Sequence, residues 1–211
     1  MSLRSMTSES AKFVLTTMVV PVERRRARSL MKQRPLRLNL GSADDHVPGW
    51  LSVDLLRPGR KLDLYWDLRR GLPFKAHSVD ALVAEHLFEH LTFEQGIALM
   101  RECFRVLVPG GVLRISVPDL ERYVASYLGR DDLIDQVRPG RPTRALAMGE
   151  VFFLYGHQCM YDFETLQRAC TEAGFSVVER SEFGQGRVQP SPDTLKRRPE
   201  SLYVDAVAGQ R

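Results

Sequence analysis

The chain has 211 residues, 44% of them hydrophobic and 27% charged, with a formal net charge of +4 at neutral pH. This composition is typical of one soluble globular domain, and no apolar run approaches the roughly 18 residues that would span a bilayer. The three cysteines are far apart and form no C-x-x-C pair, which argues against a disulfide or zinc framework and indicates reduced thiols in a cytoplasmic protein.

Residues 1–35 are predicted to form a basic N-terminal arm, ahead of one domain at 36–211. The arm holds a short apolar segment and then, between Glu23 and Arg37, seven basic residues and one acid. One interpretation is docking to an anionic surface, either weak peripheral contact with a membrane or binding to nucleic acid. The other is a solvated helix that covers one edge of a sheet. We favour the second, because no aromatic residues interleave the basic run.

The segment from Leu36 to Asp54 predicts a strand, a glycine turn and a second strand. Leucines alternate with polar residues until Gly41, and a second short strand ends in Asp54. A glycine turn lets a ligand approach backbone N–H groups, and a carboxylate at the end of the next strand accepts hydrogen bonds from ribose hydroxyls. The pattern favours a nucleoside site in a Rossmann-like unit; an ordinary strand–turn–strand is the alternative.

The sequence of the turn argues against a dinucleotide. From Gly41 to His46 it reads G-S-A-D-D-H, so the second and third glycines of G-x-G-x-x-G are missing. Two carboxylates also stand where a pyrophosphate would need positive potential. Asp54 follows Gly41 by 13 residues, whereas dinucleotide-binding folds have about 20. S-adenosylmethionine (SAM), which has a ribose, an ammonium and a sulfonium but no phosphate, fits better.

Further acidic and histidine side chains follow the next two predicted strands. Lys61–Asp67 predicts a third short strand that ends in an acid, and Val79–Ala84 is a nearly continuous apolar run, as expected of a buried strand. Glu85 and His86 come directly after it. We expect both to line the crevice at the carboxyl ends of the strands, where open parallel sheets bind ligands.

The same stretch contains a known zinc signature. His86, Glu89 and His90 form H-x-x-E-H, the motif of inverzincin proteases. In a helix, both histidines would lie on one face beside the glutamate. However, the motif follows a strand inside a repeated strand–helix pattern, unlike the setting in those proteases. We therefore expect no metal site and rank a metalloprotease last among the alternatives.

The rest of the chain continues the alternation of helices and strands. An amphipathic helix is predicted at Phe93–Leu107, a strand at Val112–Val117 with Asp119 at its end, and an insertion over the crevice at about 119–160. Within the insertion, 129–142 is predicted to be an exposed loop. The remaining predictions are a helix at Asp162–Ala173, a strand at Phe175–Arg180, a polar surface loop at Ser181–Pro199 and a last, antiparallel strand at Ser201–Ala208. The fold class is α/β, a Rossmann-like doubly wound sheet with mostly parallel strands.

Several of these pieces together resemble a known family. They are L-N-L-G-S at Leu38, W-D-L-R-R-G-L-P-F at Trp66, V-D-A-L-V-A-E-H-L-F-E-H-L at Val79, R-V-L-V-P-G-G-V-L at Arg105 and M-Y-D-F-E-T-L at Met160. The chain resembles class I SAM-dependent methyltransferases of the type 11 group over about residues 36–180. The likeness is strongest to a bacterial subgroup often found among genes for surface polysaccharide.

The resemblance implies an enzyme with SAM as cofactor and assigns roles to matched positions only. Gly41, Ser42 and Ala43 would hold the methionine part, and Asp54 with Leu55 would hold the ribose. Asp67 and Leu68 would meet the adenine, and Glu85 with His86 would close the pocket near the sulfonium. The acceptor is expected to be a hydroxyl of a small molecule or glycan. Candidate general bases are His157, Asp119 and, at a strand end, His86.

One departure from the family pattern keeps alternatives open. Ala43 stands where the family has a second glycine, and its methyl group would lie near the methionine part of the cofactor. The chain could therefore be a degenerate member that acts as a binding or scaffold protein. A nucleic-acid methyltransferase is a third alternative suggested by the basic arm, although the chain has no N-P-P-Y-type tetrapeptide. The oligomeric state is left open.

Overall fold

The computed structural model describes residues 3–43, 46–56, 59 and 61–209, with side chains from residue 12 onward. Asp44 and Asp45 of the first turn lie outside the described residues. No helix among the described residues is long and apolar enough to cross a membrane.

A seven-stranded sheet forms the centre of the molecule, in the spatial order β3-β2-β1-β4-β5-β7-β6. Neighbouring strands are parallel from β3 through β5, whereas β7 runs antiparallel to β5 and to β6. The predicted Rossmann-like, mostly parallel sheet with an antiparallel last strand is confirmed. The strands are β1 Arg37–Leu40, β2 Leu51–Asp54, β3 Leu64–Tyr65, β4 Val79–Glu85, β5 Leu107–Pro118, β6 Val177–Ser181 and β7 Ser201–Val207.

Six α-helices accompany the sheet in the described residues: α1 Leu3–Leu30, α2 Phe93–Val106, α3 Leu120–Tyr127, α4 Leu133–Val137, α5 Arg144–Gly149 and α6 Phe163–Ala173. The main core lies where α2 and α6 pack on one face of the sheet, with Met100 and Leu166 among its fully buried side chains. Both helices begin at N-cap residues: Thr92 makes a capping box with Gln95 at the start of α2, and Asp162 caps α6. The predicted cap of α6 and its left-handed Gly174 are confirmed.

The opposite face of the sheet near the first turn is covered without a helix. The connection from β1 to β2 is ten residues long, and none of its described residues is helical. Trp50 and Val188 pack there on Ala81 and Val83 of β4 instead. Val188 belongs to the segment 182–200 between β6 and β7, hereafter the 182–200 loop. This loop therefore takes a covering position that a helix of the first βαβ unit would otherwise fill.

The strand predicted at Lys61–Asp67 is shorter, since β3 covers only Leu64–Tyr65. Two other predictions miss regular structure. The strand β5 begins at Leu107 rather than Val112, because Leu107 pairs with Val79 and the Gly110 N–H donates to the Ala208 carbonyl at 2.7 Å. The predicted loop 129–142 contains α4, whose Leu133 and Ile134 are buried. In both places long-range contacts stabilise regular structure that local glycines and prolines disfavour.

The helices α3, α4 and α5 and a π-helical turn at Glu150–Leu154 pack on one another beside the sheet. They share a small apolar cluster of their own, made of Tyr123, Leu133, Ile134, Ala147 and Val151. This is the segment predicted as an insertion at about 119–160.

Most of the N-terminal arm is the helix α1, Leu3–Leu30, which contacts the edge strand β3. Glu23 accepts a hydrogen bond from the Tyr65 N–H at 2.9 Å, and Thr16 accepts one from the Leu56 N–H at 2.9 Å. An edge strand presents unpaired backbone groups, and Glu23 of α1 satisfies the N–H of Tyr65 among them. The helix therefore covers the sheet edge, as we favoured. Its outer side still exposes Arg24 and Arg25, so contact with an anionic surface stays a prediction.

Candidate active site

The predicted cofactor residues stand at the carboxyl ends of adjacent parallel strands. Gly41 follows β1, Asp54 ends β2, Asp67 lies two residues beyond the end of β3, and Glu85 ends β4. Since β3, β2, β1 and β4 are neighbours in the sheet, these ends form one continuous edge. This is the edge at which open α/β sheets bind ligands.

Gly41 makes the closest approach in the first turn. Its φ is +65°, and a Cβ there would lie 2.7 Å from Cδ1 of Leu87. The neighbouring Ser42 is buried, and its hydroxyl has no hydrogen-bond partner among the described residues. A bare backbone beside an unsatisfied buried hydroxyl is a surface to which a polar ligand can bind.

Asp54 is fixed by the backbone on both sides of it. Its carboxylate accepts hydrogen bonds from the Ala43 N–H at 2.9 Å and from the Leu55 N–H at 2.7 Å. These bonds tie the end of β2 to the first turn. Because an ionised carboxylate offers about four acceptor positions, Asp54 can still accept bonds from a pair of hydroxyls.

Asp67 is more occupied than the sequence suggested. It caps the 3-10 turn Leu68–Arg70 through the Arg69 N–H. Its carboxylate also takes a two-point ion pair from Arg69, with both N–O distances at 3.0 Å, and a weaker contact from Arg70 at 3.7 Å. Leu68 is buried beside it. Asp67 therefore lies at the predicted place, but its carboxylate already has two cationic partners.

Glu85 is bound by the 182–200 loop. Thr194 donates to the Glu85 carboxylate from its N–H at 3.0 Å and from its hydroxyl at 2.6 Å. Pro192 of the same loop, with Gly41, Ser42 and Glu85, lines a cavity of about 10 Å³. That volume suits about one water molecule, whereas pockets for small ligands measure about 300–1,000 Å³. The loop predicted to be a polar surface segment thus contacts the site, and the sequence contains no local signal for the role of Thr194.

His86 is buried and held in one tautomer. Its φ is +48°, and its Nε2 lies 2.7 Å from the Ser201 hydroxyl oxygen. That hydroxyl donates its own proton to the Arg197 carbonyl at 2.7 Å, so it accepts from an Nε2–H of His86. Burial, and then the nearby Arg197, holds the pKa of His86 well below its usual value. The ring is neutral at pH 7, and its Nδ1 carries a lone pair.

Glu89 lies next to that lone pair. The side chain is fully buried, and its Oε1 is 3.3 Å from His86 Nδ1 with a geometry that makes no hydrogen bond. Burial raises the pKa of the Glu89 carboxyl to about 8. Glu89 was noticed in the sequence only as part of the zinc signature.

The two predicted catalytic residues lie in different settings. His157 is half-buried, and desolvation followed by the charge of His90 lowers its pKa to about 4. It is therefore neutral at pH 7 and can accept a proton. Asp119 caps α3 by accepting the Arg122 N–H at 3.3 Å, and burial raises its pKa. The cap gives Asp119 a structural role at the end of β5.

His157 is brought to Glu89 and His90 by backbone pairing. The Gln158 N–H donates to the Glu89 carbonyl, and the Gln158 side chain donates to the His90 carbonyl, both at 2.7 Å. The rings of His90 and His157 meet edge to face with centroids 4.8 Å apart. The insertion thus places His157 next to the segment that follows β4.

Comparisons with known proteins agree with the fold. A family model described as "Methyltransferase domain" matches residues 64–115, about a quarter of the chain. A SAM-dependent methyltransferase from Archaeoglobus fulgidus superposes with a TM-score of 0.51 at 13% identity, over 98% of this chain and 100% of the other. The complex between the Haloferax volcanii Trm112 methyltransferase activator and a methyltransferase superposes with a TM-score of 0.50 at 16% identity. The superposition covers 92% of this chain and 94% of the other. No curated protein sequence matches the chain.

The fold is that of the class I methyltransferases. The fold and the domain match imply SAM as the cofactor. The residues at this edge fit SAM. Gly41 has no side chain to block the backbone, Ser42 has a hydroxyl without a hydrogen-bond partner among the described residues, and Asp54 retains free acceptor positions. The cavity of about 10 Å³ at Gly41, Ser42 and Glu85 is smaller than SAM, so we expect the 182–200 loop to move when SAM binds.

Proposed function

We propose that this chain is a SAM-dependent methyltransferase that acts on a hydroxyl group of a small molecule or glycan. The observation that carries the proposal is the carboxylate of Asp54, which joins the end of β2 to the Gly41–Ala43 turn through the Ala43 N–H. A fixed acidic side chain beside a glycine turn is what recognition of a ribose requires.

Each matched residue has a binding role in this proposal. The Gly41–Ala43 turn holds the methionine part, and Asp54 with Leu55 holds the ribose. Asp67 and Leu68 flank the adenine, and Glu85 with His86 borders the sulfonium. When bound, SAM supplies a methyl group on a positively charged sulfur. The protein's own contribution is to align the acceptor with that carbon at about 3 Å and to exclude water.

The acceptor site is assigned to the insertion. Seven large hydrophobic side chains are exposed there: Val124, Tyr127, Leu128, Leu146, Phe153, Leu154 and Tyr155. We take these side chains together as one apolar patch, the kind of surface that binds a ligand or partner. His157 follows the patch directly and is neutral at pH 7, so it is our preferred proton acceptor, ahead of Asp119, whose carboxylate already caps α3.

The test is a calorimetric titration of SAM into the purified protein and into Asp54→Ala. We expect micromolar binding by the wild type and at least tenfold weaker binding by the variant, because the ribose loses its acceptor. Asp162→Ala is the matched control, since it removes a helix-capping carboxylate on α6. It should cost about 1 kcal/mol of stability and leave SAM affinity unchanged. Failure of the wild type to bind SAM would exclude the enzyme and favour a scaffold protein.

A further inference from the structure

The carboxylate of Glu89 is the most anomalous polar group in the described part of the chain. It is fully buried, and neither of its oxygens has a hydrogen-bond partner among the described residues. Buried carboxylates are costly unless a hydrogen bond, an opposite charge or a metal ion compensates them. A metal ion, or a proton held by the carboxyl itself, would supply this compensation at Glu89.

The groups nearest to Glu89 are electron-pair donors. In neutral His86, Nε2 carries the proton, and Nδ1 presents a lone pair 3.3 Å from Glu89 Oε1. The Nδ1 of His157 is also buried and without a hydrogen-bond partner among the described residues. A cluster of oxygen and nitrogen lone pairs is the composition of a metal site.

Three of these residues have the geometry of a ligand set. One ligand atom each from Glu89, His90 and His157 lies within 4.8 Å of the other two. In a tetrahedral site, two ligands bound about 2.1 Å from one ion lie about 3.4 Å apart, so the cluster must close by up to about 1.4 Å. The ring of His90 is exposed and can turn. The backbone next to His157 is fixed to the backbone of Glu89 and His90, because Gln158 donates hydrogen bonds to both of their carbonyls.

We propose that Glu89, His90 and His157 form a binding site for one divalent transition-metal ion of the zinc class. Two imidazoles and one carboxylate are ligands that such ions prefer. The exposed His90 leaves one side of the site open to solvent, so a water or an acceptor oxygen can take a further position.

This ligand set differs from the one the sequence motif predicted, and it departs from our expectation of no metal. The H-x-x-E-H motif would use both of its histidines on one helix, but residues 88–90 form a 3-10 turn and His86 bonds to Ser201 instead. His157, far along the chain, takes the place of His86.

The site does not depend on methyl transfer, because metal binding needs only these three side chains. It does compete with the role of His157 as a proton acceptor, since an imidazole nitrogen that binds a metal has no lone pair left for a proton. Metal titration therefore also distinguishes the two roles of His157.

The experiment is a Zn²⁺ titration of the full chain after removal of metal with a chelator, followed by competition with a chromophoric chelator. We expect one Zn²⁺ per chain and a higher melting temperature with Zn²⁺. Glu89→Gln and His90→Ala should each weaken binding at least tenfold. The amide of Gln keeps the shape of the buried side chain. His90 is exposed, so His90→Ala decides the question alone if Glu89→Gln does not fold.

His77→Asn is the matched control. His77 is an exposed histidine at the opposite end of β4, and asparagine tolerates its φ of +53°. This variant should bind Zn²⁺ as the wild type does. The proposal is overturned if the wild type binds no Zn²⁺, or if all three variants bind it equally. A proton shared between Glu89 and His86 would then account for the buried carboxylate.

Discussion

At the scale of single residues, the first turn contains two residues with left-handed backbone conformation, and only one of them is a glycine. Gly41 has φ +65° and Ala43 has φ +47°. Glycine adopts this conformation freely, whereas an L-residue with a Cβ pays about 1–2 kcal/mol for it. The glycine that the family pattern has at position 43 would thus suit the backbone better than the alanine that is present.

Ala43→Gly should therefore bind SAM at least as tightly as the wild type, because it removes both strain and a methyl group from the turn. Its stability should change by less than about 1 kcal/mol, since the relief of strain offsets the extra entropy that glycine gives the unfolded chain. Calorimetry for SAM and urea unfolding would measure the two effects. Weaker binding would mean that the alanine methyl group contacts the ligand favourably.

Gly41→Ala provides the contrast in the same turn. Its Cβ would lie 2.7 Å from Cδ1 of Leu87, which can shift, but the strain at φ +65° remains. We expect this variant to fold with a loss of about 1–2 kcal/mol and to lose most of its SAM affinity. Equal behaviour of the two variants would show that the turn does not contact the ligand.

At the scale of elements, the 182–200 loop is tied to β5 and β7 by a buried charge cluster. Arg114 of β5 is 1% exposed and bonds to Asp193 of the loop at 2.7 Å and to Asp205 of β7 at 3.2 Å. The two carboxylates are equally buried. Removing one member of such a cluster leaves uncompensated charges in the interior.

Arg114→Met should lower the free energy of unfolding by about 3–5 kcal/mol, because Asp193 and Asp205 lose their cation while still buried. Urea unfolding followed by circular dichroism measures this loss. The control is Arg101→Met, which breaks the exposed pair of Arg101 with Glu172 and should cost at most about 1 kcal/mol. Similar losses for both variants would contradict a special role for the buried cluster.

The elements themselves follow largely from local sequence. The alternation around Leu38 and Leu40, the apolar run of β4 and the cap Asp162 all specify structure through neighbours a few residues away. The bond between Thr194 and Glu85 joins residues 109 positions apart, and His157 meets His90 only after the insertion has folded. A local sequence pattern does not encode contacts between residues so far apart in the chain. The residues at the carboxyl ends of the strands could therefore be predicted from the sequence, whereas the loop that covers them and the histidine cluster could not.

At the scale of the whole molecule, the 182–200 loop reaches the sheet edge at which we place the cofactor. Pro192 lines the cavity of about 10 Å³ at the first turn, and Thr194 makes two hydrogen bonds to Glu85. A ligand with a ribose and an adenine needs several hundred Å³. We therefore expect SAM to displace the loop when it binds, so that the apparent affinity includes the free energy of that displacement.

Thr194→Val should bind SAM more tightly than the wild type, because it keeps the N–H bond to Glu85 but loses the hydroxyl bond that closes the loop. A charge-assisted hydrogen bond contributes about 1.5–3 kcal/mol, so the affinity should rise by about tenfold or more. In the wild type, SAM should speed amide hydrogen exchange across 187–195. Thr171→Val, which removes an exposed hydroxyl bonded within α6, should change neither quantity. Unchanged exchange on saturation with SAM would mean that the ligand enters without moving the loop, and the closed crevice would then be the wrong site.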